Sequence, residues 1–392
     1  MGLSFPRHRD VADGKLISIG PLERMIIMTL LQLPSYEKLR SLLLESMVDG
    51  GGTVARTQLA RFAETLEIEE NPGDMLPYLF AAALMKRLDP VRNEQMNLYL
   101  RKYDVPQITL FNLLAQKYPL VANASRLANS LLARYVHPGE PVSFLEIGIG
   151  TGRQIVSLLQ ELALQDRRPS LIELFAIEPN EQCLQQAQEN VMQAAESCGI
   201  RVAFHPIPYE VERMPDEIWS RLAVGGSMLV NASFALHHIR DTHVGSAGKN
   251  GVLRKLCSLR PAVVVMCEPD SDHQTSDAIS RFVHCWEHFS LVFELIDSLD
   301  IPSEQKRALK VFFGREIEDI IGNSEHLRCE RHESTTDWIK PFMSGFSPNP
   351  DMNGLSLHIP RVVSSASDEW YIGLGAGDIN LVSVICAVPK KG

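Results

Sequence analysis

The stretch Val142–Gln154, reading VSFLEIGIGTGRQ, constrains this chain more than any other. Val142, Ser143, Phe144, Leu145 and Ile147 form a short apolar run suited to a buried strand. Three glycines follow at alternate positions, Gly148, Gly150 and Gly152, with Glu146 at the strand end. From Ile155 to Leu162 apolar residues recur at helical spacing. The order is therefore strand, glycine turn, helix. Glycine accepts backbone angles and close approaches that side chains forbid, so a nucleotide-like ligand can lie on bare backbone beside the helix N-terminus.

A dinucleotide fingerprint reads G-x-G-x-x-G. Gly148 and Gly150 fit it, but Arg153 stands where the third glycine belongs. The pattern acidic-x-G-x-G-x-G resembles instead the first motif of class I S-adenosylmethionine methyltransferases. Adenosylmethionine lacks a pyrophosphate and carries a sulfonium and an amino group, which an acidic residue at the strand end suits.

The 392 residues allow one large domain with an addition, or two domains. With 45% hydrophobic and 22% charged residues the chain reads as globular. A net charge of -10 without a basic patch argues against nucleic-acid binding and favours a small-molecule partner. The most apolar early run, Met25–Leu33, is cut short by Pro34. It falls below the ~20 apolar residues of a bilayer span, so no membrane role is expected. Seven cysteines without a CxxC pair suggest free thiols and a cytoplasmic protein.

Residues 1–20 show little pattern and read as a mobile arm. Helical patterns follow at Tyr36–Leu44, Thr53–Leu66, Met75–Leu88, Ile108–Ala115 and Ala122–Val136. Residues 1–136 thus read as a helical cap region, a lid or a homodimer surface. After the linker His137–Pro141, strands alternate with helices, the mark of a doubly wound parallel sheet over 137–392. The further strands are Ile172–Ile177, Gly199–Phe204, Met228–Asn231 and Ala262–Glu268, with a helix at Cys183–Cys198. A long helical pattern at Asp277–Leu299 belongs to an insertion, about 274–324, expected to pack on the N-terminal helices. Trp370–Gly375 and Asn380–Val388 read as a closing hairpin.

These residues carry a specific resemblance. Ala128–Leu132, Val142–Gln154, Asn231–Ile239 (NASFALHHI) and Leu259–Glu268 with His273 resemble, in order, landmarks of the GRAS proteins. So do Phe313–Ile317 with its GREI, Glu330–Glu333 (ERHE) and Trp370–Val388. The resemblance runs from about residue 105 to the end of the sequence. Plant members act as transcriptional regulators and generally lack a complete glycine signature; this chain has one. That is similar to the bacterial-type members, which the resemblance implies are adenosylmethionine-dependent methyltransferases on small molecules. The fold it implies is a Rossmann-like class I methyltransferase core, α/β, mostly parallel with a closing antiparallel hairpin.

The expected function is accordingly an enzyme, an adenosylmethionine-dependent methyltransferase favouring O-methylation of a hydroxyl or carboxylate on a small-molecule methyl acceptor. The alternative is a non-catalytic, GRAS-like binding or regulatory protein that retains the fold; a nicotinamide-dependent oxidoreductase is disfavoured by Arg153. Glu146, Gly148, Gly150 and Gly152 are expected around the methionine part of the cofactor. Glu178, with Asn180 beside it, is expected at the ribose hydroxyls, and Ile207 and Pro208 at the adenine. Asn231 reads as a cofactor or substrate contact and Phe234 as a wall beside the sulfonium.

His237 and His238 are read as the first turn of a helix facing the cleft. Adjacent helical residues point about 100° apart, so only one is expected to face the substrate as a general base. Glu268 and His273 are the other candidate polar contacts, His332 a weaker one. His284–His288 reads H-x-x-E-H, a zinc-peptidase pattern, but no peptidase architecture surrounds it, and no metal ligand is assigned.

Overall fold

A computed structural model describes residues 33–48, 52–88, 107–222, 228–239, 248–352, 363–376 and 379–390. The expected arm at residues 1–20 lies outside the described residues. Among the described residues five helices come first: α1 Pro34–Val48, α2 Thr53–Glu64, α3 Met75–Leu88, α4 Gln107–Lys117 and α5 Pro119–Ala133. Strands and helices then alternate through β1 Pro141–Ile147, α6 Arg153–Leu164, β2 Leu171–Ile177, α7 Glu181–Cys198 and β3 Val202–Ile207. There follow α8 Asp216–Leu222, β4 Met228–Ser233, α9 Gly248–Ser258 and β5 Val263–Pro269. The chain continues with α10 Ala278–Ser298, α11 Ser303–Ile317, α12 Thr335–Ile339, β6 Phe346–Pro348, β7 Ser364–Ser367, β8 Tyr371–Ala376 and β9 Ile379–Pro389.

The strands form one mixed sheet in the order β3-β2-β1-β4-β5-β9-β8-β7, with β6 also on β9. The first five strands are parallel, and β9 joins β5 antiparallel, Val264 opposite Ala387. The order reverses between β1 and β4. In open α/β sheets that reversal opens a crevice at the carboxyl ends of the strands.

Alternation along β1 explains how both faces are filled. Val142 and Phe144 point into one apolar core, Leu145 and Ile147 into the other. The first core takes α5, α6 and α7; the second takes Trp219 of α8, Leu253 of α9 and Trp338 of α12. Helix α10 packs on the N-terminal helices. Phe282 of α10 stacks on Tyr36 at 5.9 Å and Trp286 meets it tilted at 5.5 Å, and both meet Phe80, at 5.4 and 4.9 Å. Lys86 of α3 pairs with Glu318 at 2.7 Å. That first core runs without a break from Tyr36 to Cys386, so helical region and sheet share it.

One strand sits later than its sequence pattern suggested. Gly199 does not open β3: it is the left-handed C-cap of α7, with φ +65°, a position glycine fills without strain. The strand starts at Val202 and runs through Pro206 to Ile207. β3 is the edge of the sheet, where a proline costs no ladder bond on its open side. No helix among the described residues is long and apolar enough to cross a membrane.

Candidate functional site

The glycine turn links β1 to α6 at the carboxyl edge of the sheet. Gly148, Gly150 and Gly152 all take positive φ, +74°, +54° and +80°. Their surroundings differ. A Cβ on Gly148 would meet the Ala235 Cβ at 2.6 Å, and one on Gly152 would meet Ala187 Cα and O at 3.2 Å. A Cβ on Gly150 would meet nothing within 4 Å. Two of the glycines therefore serve close packing, while Gly150 faces open space.

The backbone N–H of Gly148 donates to Ile177 O at 2.9 Å, which stitches the turn to the end of β2. Glu178 continues that stitch: its Oε2 accepts from Gly150 N at 3.1 Å and its Oε1 from Asn180 N at 3.0 Å. The carboxylate proposed for the ribose thus already holds the turn, with lone pairs to spare. The Asn180 side chain caps α7 by accepting from Cys183 N at 2.9 Å. Ile207 is buried in the second core, and Pro208 is exposed beside it. Arg153, in the place of a third dinucleotide glycine, donates through Nε to Asn112 of α4 at 2.7 Å.

Beneath the turn, Glu146 and Asn231 are register partners on β1 and β4. Asn231 Nδ2 donates to Glu146 Oε1 at 2.8 Å, and both side chains are buried. Glu146 Oε2 has no hydrogen-bond partner among the described residues. Burial pushes the Glu146 carboxyl up to about 8. Phe234, just past β4, holds φ +55°, rare for a side chain of this size, with its N–H on Cys267 O at 2.7 Å.

His237 and His238 stand on a 3-10 turn, Leu236–His238, and not on the first turn of a helix. Glu268 builds that turn. It lies within β5, fully buried, with Oε1 accepting from Leu236 N at 2.8 Å and Ala235 N at 3.3 Å. Its Oε2 is 2.6 Å from His237 Nδ1. Burial raises Glu268 to about 8 and lowers His237 to about 3.

His273 is likewise enclosed. Its Nδ1 lies 3.1 Å from His332 Nδ1 and its Nε2 2.8 Å from Ser271 Oγ. Burial, reinforced by His332, takes it well below the usual imidazole range. His238 is half-exposed. Both adjacent histidines approach Glu330 Oε2. His237 Nε2 is 3.5 Å from it and His238 Nδ1 3.4 Å. In the H-x-x-E-H segment, His284 Nδ1 is spent on Asp272 O at 2.7 Å, while the His288 ring packs 5.7 Å from that of His273.

Two members of this cluster, Glu316 and Glu330, carried no assigned role in the sequence. The GREI and ERHE landmarks contain both, and His332 as well, so the signal was present as a pattern without a chemistry.

A family model described as the GRAS domain family matches residues 44–360. Chitin-inducible gibberellin-responsive protein 2 of Oryza sativa subsp. japonica is 26% identical over 265 residues, 65% of this chain and 48% of its own length. Scarecrow-like transcription factor PAT1 of Arabidopsis thaliana is 26% identical over 62% of this chain and 51% of its own. The chain spans about half the length of the curated relatives it matches. Among solved structures, SCL7 of Oryza sativa superposes with a TM-score of 0.72 at 22% identity. That match covers 91% of this chain and all of SCL7, a likeness of fold.

These matches overturn the expected enzyme. The methyltransferase function, O-methylation and a small-molecule methyl acceptor are withdrawn: the chain matches the GRAS family model, and a relative 26% identical to it is by name a transcription factor. The local chemistry agrees. His237, with its pKa near 3 and its Nδ1 tied to Glu268, is a poor proton acceptor near neutral pH. His273 has both ring nitrogens engaged.

Proposed function

The chain belongs to the GRAS domain family, and we propose that it works as a non-catalytic binding and regulatory protein that holds an adenosylmethionine-type ligand without turning it over. The match to the family across residues 44–360 carries this reading. The tethered histidines support the absence of turnover. The open face of Gly150 and the unpaired Glu146 Oε2 support the ligand.

Two finer assignments belong to the same proposal. The five parallel strands followed by an antiparallel closing pair support a methyltransferase-type core. The intact glycine turn, with all three glycines left-handed, supports a place among the bacterial-type members. Seven free thiols support a reducing, cytoplasmic setting.

Calorimetry with adenosylmethionine tests the ligand, and a labelled-methyl assay against fractionated metabolite extracts tests the lack of turnover. Wild-type protein binds, Gly150→Arg does not, and no labelled product accumulates. Failure of the wild-type protein to bind removes the ligand from the proposal. Labelled product above background removes the non-catalytic part.

A further inference from the structure

Three imidazole nitrogens converge on a single carboxylate oxygen. His237 Nε2, His238 Nδ1 and His332 Nε2 lie 3.5, 3.4 and 3.5 Å from Glu330 Oε2. His237 and His332 are almost wholly buried, at 5% and 1% exposure, and Glu330 is largely so. Glu330 Oε2 and His332 Nε2 have no hydrogen-bond partner among the described residues. Two overlapping ligand triads share Glu330: His237–His238–Glu330 and Glu316–Glu330–His332. Buried polar atoms that face one another without bonding need an explanation. The spacing offers one. Around a zinc ion with bonds of about 2.0–2.1 Å, a tetrahedron sets its ligand atoms about 3.3–3.4 Å apart.

We propose that His237 Nε2, His238 Nδ1 and Glu330 Oε2 form a binding site for one zinc ion, with His332 Nε2 and Glu316 as outer neighbours on the Glu330 side. The supporting shell is the kind such ligands use. A metal-bound histidine commonly gives its other ring N–H to a carboxylate or a further acceptor. His237 places Nδ1 on Glu268 Oε2 at 2.6 Å, and two backbone N–H groups fix that carboxylate in turn. His332 places Nδ1 on His273 Nδ1, and His273 continues to Ser271 Oγ. Both chains aim the remaining ring nitrogen, Nε2, at Glu330.

The donor set selects the ion. Two imidazoles and one carboxylate suit zinc and its neighbours, while magnesium and calcium prefer six or more oxygens. Burial keeps His237 and His332 neutral, the form that ligates. Glu316 lies 3.9 Å from His332 Nε2, and burial with the facing Glu330 and Asp319 raises it well above the usual carboxylate range. A divalent cation among these carboxylates would relieve that repulsion. The half-exposed His238 gives an entry path from solvent. Three protein ligands, with the fourth position left to water on the half-exposed His238 side, would clasp the turn after β4 to the segment beyond α11.

The test uses the full chain, stripped with a chelator, dialysed and titrated with zinc against a chromophoric competitor. The expected result is one ion per chain at an affinity on the order of nanomolar. Substitution with cobalt should give the strong visible band of a tetrahedral centre. Glu330→Gln and His238→Ala should each weaken zinc binding by about 10-fold or more, whereas His326→Ala, at an exposed histidine outside the cluster, should not. His238 is exposed enough for its variant to keep the fold, checked by circular dichroism. Absence of stoichiometric zinc, two ions per chain, or unchanged affinity in both Glu330→Gln and His238→Ala overturns the site. None of these readings depends on adenosylmethionine binding.

Discussion

The glycine turn and the histidine–carboxylate cluster occupy the same edge of the sheet, one at the ends of β1 and β2, the other at the ends of β4 and β5. The turn is local. Its three glycines fall within five positions, and its polar partners, Glu178 and Asn180, come from the next strand end. The cluster is assembled from far apart: His237 after β4, Glu268 in β5, Glu316 at the end of α11, Glu330 and His332 beyond it. The turn presents backbone to open space at Gly150, while the cluster buries titratable side chains against one another.

The largest expected effect lies at Glu146, under the glycine turn. Its carboxyl, raised from 4.5 to about 8 by burial, keeps its proton in the folded chain and loses it in the unfolded one across that window. The folded state binds more protons there, so stability falls as pH rises from about 4.5 to 8 and levels off above. At about 1.4 kcal/mol per pH unit the loss is on the order of 5 kcal/mol. Glu146→Gln should flatten that part of the stability–pH curve in urea denaturation; an unaltered slope means the carboxyl ionises in the fold. Next in size, Glu268→Ala strips the acceptor from Ala235 N, Leu236 N and His237 Nδ1. It should cost about 3 kcal/mol of unfolding free energy. A loss under about 1 kcal/mol shows that the cluster does not hold the turn.

Within the glycine turn, Gly152→Ala should destabilise by about 2–3 kcal/mol, from left-handed strain and contact with the Ala187 backbone. Gly150→Ala carries the strain alone, about 1 kcal/mol. Equal costs in matched denaturation curves would erase the distinction between packing glycines and an open one. Last, His238→Ala should shift the stability of the metal-free protein by less than about 0.5 kcal/mol, because the ring is half in solvent.

The sheet was legible wherever burial wrote a continuous apolar run. Val142–Ile147 and Val263–Cys267 read as strands because parallel strands covered on both faces leave no polar alternation. β3 was misplaced because Gly199, read as the head of a strand, ends the helix before it; a glycine after a long helical pattern is itself a stop signal. The glycine turn was legible in its geometry but not in its use, since a fold-level motif fixes where a ligand can lie and leaves the chemistry open. His237 and His238 were read on a regular helix, yet on the 3-10 turn their ring centroids come within 4.0 Å of each other. Glu316 and Glu330 were illegible for a different reason. Their meeting depends on the π-helical turn Glu318–Gly322 and on the bridge between Asp270 and Glu333, which returns the chain to the sheet edge. No spacing in the sequence encodes that return.

The position of β9 in the sheet bears on how the chain is made. Val264 of β5 waits for Ala387, and β8 waits for the same strand from its other side. During synthesis β1 to β5 can pair as they emerge, but β5 then carries a bare row of N–H and C=O groups until β9 arrives. Such an edge invites pairing with a neighbouring chain, and closure between distant segments is slow. A nascent or truncated chain lacking residues 379–389 should therefore be prone to aggregate, with the fault lying in an uncovered strand and not in a missing site.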